Sequence, residues 1–251
     1  MMATLLKRPD AFAAPMKRNT MSSILRVIGL AAALLIVPGL HAQPAASSPA
    51  AGSAASANPA SAAAALATVQ APDEFIRLLS QTVLDRIRQE PDLRAGDLRR
   101  VSRFVDESVM PYVDFERMTA LAVGRGWRQA SPEQQRQLMA EFRVLLVRTY
   151  AGAVSHVKDQ QIRLKPQRPA TEDGDAIVRS EIVSTRGEPI QIDYRMSRTP
   201  SGWKIYDLNV LGVWLVESYR NQFAQEVSAK GIDGLIRSLS ERNRQFAQAK
   251  P

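Results

Sequence analysis

The stretch GWKIYDLNVLGVWLVESYRNQF, residues 202–223, decides the fold. It opens as an alternating strand and, past Gly212, becomes a helix that goes on presenting large apolar side chains. Trp203, Ile205, Tyr206, Leu208 and Val210 belong to the strand, and Val213, Val216, Tyr219 and Phe223 continue on the helix. So dense a run serves either a packed core or the wall of a cavity.

Working upstream, residues 161–165, 176–185 and 189–197 also read as strands, with turn signals at EDGD, RGE and TPSG. Short connections make the last three strands an antiparallel meander. Ile190, Ile192, Tyr194 and Met196 share one strand face, and Gln191, Asp193 and Arg195 the other. Hairpin pairing that keeps parity sets Tyr194 near Tyr206, Ile192 near Leu208 and Ile190 near Val210, with Val178 and Ile182 extending the same face. The even-numbered side is expected to be buried. The odd-numbered side, with Arg179, Glu181, Asp193, Arg195 and Asp207, is expected to be solvated apart from Ile177, Val183, Trp203 and Ile205.

Helices precede the strands. Residues 73–89 place Phe75, Ile76, Leu79, Val83 and Ile87 on one helical face, and residues 97–109 do the same with Leu98, Val101, Phe104, Val105 and Val109. Pro111 ends the second of these. SPEQ at 131–134 forms a capping box with proline at the first helical position. Behind it Leu138, Phe142, Leu145, Leu146, Thr149 and Tyr150 recur at three and four residues, which predicts one long helix to about residue 157. The fold class is therefore α+β: a curved antiparallel four-stranded sheet whose one apolar face is covered by helices before and after it. Periodicity alone gives a packed core and a ligand cavity the same signature.

The front of the chain reads differently. Five bases stand against Asp10 in residues 1–26, and a 14-residue apolar run, 27–40, leads to a small residue at Ala42. That is the layout of a secretory signal over 1–42, with an uncleaved anchor as the alternative and Met16 or Met21 as candidate starts. The run is short for a membrane span. Residues 43–71 are rich in Ala, Ser and Pro and carry no charge, and read as a flexible tether before a domain at 72–248. Without the leader the formal charge of +8 falls to +4. The remaining bases are interleaved with acids and form no aromatic-studded stripe, which argues against a nucleic-acid protein. Weak attraction to anionic membrane surfaces remains. The chain has no cysteine, so disulfide, thiolate and cysteine-metal chemistry are excluded. Its domain has one histidine, His156, and no ligand-spaced carboxylates to join it, so no metal site or cofactor is expected.

Three segments, in this order, carry a resemblance: PYVDFERMTALAVGRGWRQASPEQQRQLMAEFRVLLVRTYA at 111–151, GWKIYDLNVLGVWLVESYRNQFAQEV at 202–227, and KGIDGLI at 230–236. Together they resemble the MlaC family, also called the toluene-tolerance auxiliary family. The resemblance implies a periplasmic phospholipid carrier that moves lipid between the outer and inner membranes and so maintains outer-membrane lipid asymmetry. It implies two partners, an outer-membrane lipoprotein complex and the lipid-binding subunit of an inner-membrane ABC transporter. It also implies a nuclear-transport-factor-like cone with added helices, acyl chains inside and the headgroup near the mouth.

The residue reading supplies a place for such a ligand. The candidate lipid-binding residues are Val178, Ile182, Ile190, Ile192, Tyr194, Met196, Tyr206, Leu208 and Val210 on the sheet, Val213, Val216 and Tyr219 beyond the turn, and Leu146 and Tyr150 on the long helix. GRGWR at 124–128 places Arg125 or Arg128 near a phosphate, or is a solvated turn around Trp127. The alternative function is a small cone-fold enzyme, an isomerase or dehydratase acting on an apolar substrate, which would pair Tyr112 with Asp114 or Tyr194 with Tyr206.

Overall fold

A computed structural model describes residues 59–167, 171, 174–185 and 187–248. The expected leader and residues 43–58 of the expected tether lie outside them, as do residues 172–173 and 186 of two turn signals. Among the described residues no helix is long and apolar enough to cross a membrane.

Helices come first: α1 (Pro59–Thr68), α2 (Pro72–Gln89), α3 (Pro91–Arg94), α4 (Leu98–Ser108), α5 (Phe115–Val123) and α6 (Pro132–Val154). Short 3-10 turns at Met110–Tyr112 and Gly124–Gln129 flank α5. Strands β1 (Gln161–Leu164), β2 (Asp175–Val183), β3 (Ile190–Thr199), β4 (Gly202–Val210) and β5 (Val213–Trp214) follow, and α7 (Leu215–Gln248) closes the chain, broken at Gly231 where φ is 70°. Side-chain caps fix the helix starts. Asp97 accepts from the Arg99 and Arg100 amides, Asp114 from the Arg117 amide, and Ser131 and Gln134 form the reciprocal box expected from SPEQ.

The sheet is antiparallel throughout, in the order β1-β2-β3-β4-β5. It has five strands rather than four, because Val213 and Trp214 fold back onto β4 before the helix starts. Leu211 and Gly212, at φ 52° and 87°, make the turn, both at the positive φ that a tight hairpin of type I′ requires. The outer edge of β4 is thus paired at one end by β5 and at the other by a bridge from Val113 to Ile205.

The segment 43–71 is not wholly a tether. Pro59–Thr68 is helical, and Leu66 is 1% exposed, packed in the cluster that also holds Phe75, Ile76 and Trp203. Trp203 donates its indole N–H to the Gln70 carbonyl at 2.8 Å, and the Arg198 guanidinium bonds the same carbonyl at 3.0 Å, so the α1–α2 connection is fastened to the sheet.

Pairing also departs from parity. Thr199 pairs with Gly202, Arg198 with Trp203 and Met196 with Ile205; a bulge then intervenes, and Arg195 pairs with Asp207, Tyr194 with Leu208 and Ile192 with Val210. A two-residue hairpin loop, Pro200–Ser201, necessarily sets even residues against odd ones, and the extra residue Tyr206 restores the phase. Trp203 and Ile205, expected on the solvated side, are therefore buried with Met196, while Tyr206 leaves the apolar face. Asp193, Asp207 and Asn209 are buried too, so the odd-numbered side is not simply solvated.

Candidate functional site

The buried apolar residues form three clusters rather than one continuous core. The sheet cluster joins Val178, Tyr194, Met196, Trp203 and Ile205 to α1 and α2. A helical cluster joins Met118, Leu138, Phe142, Leu145, Val216, Tyr219, Phe223 and Leu235. A third links Ile87, Leu93, Val101, Phe104 and Ala151. Half-buried Val113 packs against the first two, and half-buried Val83 against the first and third. A small domain ordinarily has one contiguous core with satellites, so a divided interior is a feature to be explained.

The candidate residues divide accordingly. Val178, Tyr194, Met196, Ile192 and Leu208 come together under α1 and α2, whereas Val216, Tyr219 and Leu146 meet in the helical cluster. The helices expected to cover the sheet on both sides of it in sequence thus do different work. The tight turn at Leu211–Gly212 and the return through β5 start α7 from the sheet edge, where it packs with α5 and α6. Within the even face burial is graded. Val178, Tyr194 and Met196 are buried, but Ile182, Ile190, Ile192, Leu208 and Val210 are only half-buried, as are Leu146, Tyr150 and Val213.

Tyrosines mark these surfaces. The Tyr194 hydroxyl is satisfied by Ser80 and Ser180, and burial raises its pKa. It does not meet Tyr206. Burial pushes Tyr150 well above the ordinary phenol range, with Tyr219 adding to the shift. Tyr219 is itself raised by burial and bonded to Thr149, and its ring packs edge-on against Phe142 at 5.0 Å.

On the opposite face, Tyr206 belongs to a polar network that periodicity did not anticipate. The Arg117 guanidinium lies 3.7 Å from the Tyr206 ring centre and donates to Asp175 at 3.1 and 3.3 Å, while the Tyr206 hydroxyl donates to the same carboxylate at 3.2 Å. Arg195 stacks on Trp214 at 3.9 Å and donates to Asp207 at 2.9 Å. Asp207 also accepts from the Leu208 and Val216 amides, at 2.9 and 3.0 Å, which ties the start of α7 to the bulge. Burial raises its pKa, against the lowering effect of those amides and of Arg195. A cleft of about 340 Å³ opens here, lined in part by Gln167, Ile177, Arg179, Arg195 and Tyr206.

A second cleft, of about 620 Å³, lies between the Gly124–Gln129 turn and α7, with Arg125, Gly126, Gln129, Arg220, Val227 and Ser228 among its lining. Arg128, the other candidate for a phosphate, is exposed and does not line it. Arg220 had no signal of its own in the sequence. It is one exposed cation on a long helix, and only the folded arrangement sets it opposite Arg125.

The carboxylate of the enzyme alternative and the domain's one histidine both make local contacts. Asp114 caps α5, and His156 Nδ1 contacts the Gly152 carbonyl at 2.8 Å. Among the described residues no group of three or more His, Asp or Glu side chains is placed to hold a metal ion.

The class defined by this architecture is an α+β domain with an open antiparallel sheet, helices over its apolar face, and a divided apolar interior. The family model described as MlaC protein matches residues 77–241, and the chain belongs to the MlaC family. It is 24% identical over 159 residues to the intermembrane phospholipid transport system binding protein MlaC of Haemophilus influenzae, covering 62% of this chain and 71% of that one. It is 26% identical over 107 residues to the toluene tolerance protein ttg2D of Pseudomonas putida, covering 42% of this chain and 49% of that one. Among solved structures it resembles a phospholipid-binding protein from Ralstonia solanacearum in complex with a phospholipid, at 45% identity and a TM-score of 0.68, over 71% of this chain and 99% of that one.

Proposed function

We propose that this protein is a phospholipid carrier of the periplasm, passing lipid between an outer-membrane lipoprotein complex and the lipid-binding subunit of an inner-membrane ABC transporter. The observation that carries the reading is the Ralstonia solanacearum relative, which holds a phospholipid and is matched over 99% of its length at 45% identity. The divided interior agrees with it. Acyl chains are assigned to the half-buried part of the even face, at Ile182, Ile190, Ile192, Leu208 and Val210, together with half-buried Val213, Leu146 and Tyr150. Val178, Tyr194, Met196, Val216 and Tyr219 form the closed walls behind.

The physical task needs no catalytic group. Burying a methylene is worth ~0.8 kcal/mol, so an acyl chain of about 16 carbons costs roughly 12 kcal/mol to expose to water. A carrier must match that with an apolar interior and release its load by exchange. The enzyme alternative loses support from the geometry, since Tyr194 and Tyr206 lie on opposite faces of the sheet and Asp114 is a helix cap.

Mass spectrometry of lipid extracted from natively purified protein tests the reading, together with uptake from donor vesicles by the delipidated form. Phospholipid bound in both is expected. Protein that emerges without lipid and takes none from vesicles would refute the carrier function.

A further inference from the structure

Among the described residues nine of 21 arginines meet a carboxylate, Arg117, Arg163 and Arg195 included. The cleft between the Gly124–Gln129 turn and α7 brings two of the others, Arg125 and Arg220, into one lining that holds no acidic residue. Among the described residues Arg125 has no ion-pair partner. Arg220 spends one donor on structure: its Nε bonds the Leu121 carbonyl at 3.1 Å, satisfying a carbonyl in the last turn of α5 and leaving both Nη groups for another acceptor.

The wall that carries Arg125 is held firmly against the wall that carries Arg220. A Cβ at Gly126 would meet Ile232 at 3.0 Å, Val227 at 3.2 Å and Val123 at 3.3 Å, so glycine lets the turn lie this close to α7 without displacing those side chains. The lining combines apolar Val123, Ala224 and Val227 with the two arginines. Two guanidinium forks beside apolar side chains fit a phosphoester attached to an apolar body.

We propose that this cleft is a phosphate site in which Arg125 and Arg220 jointly hold the oxygens of a phosphoester. The chemistry has two possible sources, the headgroup of a carried phospholipid or a small soluble phosphoester; the first rests on the carrier function proposed above, the second does not.

Competition separates them. Delipidated protein is incubated with phosphatidylglycerol vesicles containing a minor fraction of diacylglycerol with the same chains, and bound lipids are quantified by mass spectrometry. Wild type is expected to enrich phosphatidylglycerol over diacylglycerol relative to the donor vesicles. Arg125→Gln/Arg220→Gln is expected to lower that enrichment by about tenfold or more, through loss of charge-assisted hydrogen bonds, while keeping total lipid per mole. Arg125→Gln alone leaves the bond to Leu121 intact, keeps the test open if the double variant fails to fold, and should lose at least about threefold. Unchanged enrichment in a folded variant, or none in wild type, overturns a lipid-headgroup site. In a second arm, glycerol 3-phosphate and inorganic phosphate are titrated into delipidated protein while the Gly124 and Gly126 amides are followed by NMR. Shifts in wild type that vanish in Arg125→Gln support a phosphate site even if neither lipid is taken up, in which case the carrier function fails and the site does not. No shift in this arm and no enrichment in the first overturns the site itself.

Discussion

Placing a tryptophan at Ile192 distinguishes a lipid chamber from an ordinary core. Ile192 pairs with Val210 on the even face and is half-buried, whereas Val178 on the same face is 1% exposed and packed in the cluster with Phe75 and Ile76. Ile192→Trp adds about six heavy atoms. If these fill space otherwise taken by an acyl chain, the chain forfeits contact over about five methylenes, or ~4 kcal/mol at ~0.8 kcal/mol each. That corresponds to roughly a thousandfold weaker binding. On that premise the delipidated variant should keep its stability within about 1 kcal/mol, because the new atoms would enter the acyl-chain space and not a filled core. Val178→Phe meets filled space and should cost ~1–3 kcal/mol. Gln191→Trp, on the other face, should leave lipid loading unchanged. Bound lipid per mole by mass spectrometry and urea unfolding of delipidated protein supply the readouts, since retained ligand would raise apparent stability by itself. A full complement of lipid in Ile192→Trp, or destabilisation matching that of Val178→Phe, would refute the chamber at this end of the sheet.

Other perturbations test the architecture. Leu66→Ala should destabilise the domain by ~2–5 kcal/mol in urea unfolding, because Leu66 is a core residue; a chain shortened to begin at Pro72 should be at least as unstable. Leu211→Gly should stabilise by about 0.5–1 kcal/mol, since Leu211 holds φ at 52° with its side chain 41% exposed and little burial to lose. Arg148→Met should raise the melting temperature by a few degrees, as Arg148 Nη1 is buried without a hydrogen-bond partner and its removal recovers about 1 kcal/mol of desolvation. Asp207 binds a proton more tightly when folded than the ordinary carboxyl value of 3.8, so its contribution to stability is fullest below that value and declines as pH rises through the raised folded value. The stability of wild type minus that of Asp207→Asn, measured by urea unfolding across this window, should therefore grow as pH falls; a difference that shrinks would show that the pairing with Arg195 and the two amides outweighs burial.

The helices at 72–89, 98–108 and 132–154 were legible because their signals are local: three-four periodicity in each, and the box at Ser131 and Gln134. The shared face of β2 and β3 was legible because parity holds there, and the structure sets Val178 opposite Tyr194 and Ile182 opposite Ile190. The helix at 59–68 was not read because alanine and serine have little side-chain signal; among residues 64–68 Leu66 is the buried one. In β4 the information was present but spread over two scales. Its apolar residues fall at 203 and 205 and then at 208 and 210, a slip of one in the alternation that marks a bulge at Tyr206. Strand-by-strand parity averages over such a slip; the two-residue loop at 200–201 exposes it, because that loop fixes Met196 against Ile205 before any side chain is considered. The slip has consequences beyond one tyrosine. It turns Tyr206 toward Arg117 and Asp175, brings Asp207 under the first amides of α7, and with the turn at Leu211 starts that helix from the sheet edge. An α7 laid back across the even face would have joined the sheet and helical clusters into one core. Starting from the edge, it leaves them divided, with half-buried Ile192, Leu208 and Val210 at the margin. The same course carries Arg220 alongside the Gly124–Gln129 turn, a pairing across nearly a hundred residues that no spacing rule reaches. The bulge in β4 and the turn at Leu211 thus act together in setting the course of α7.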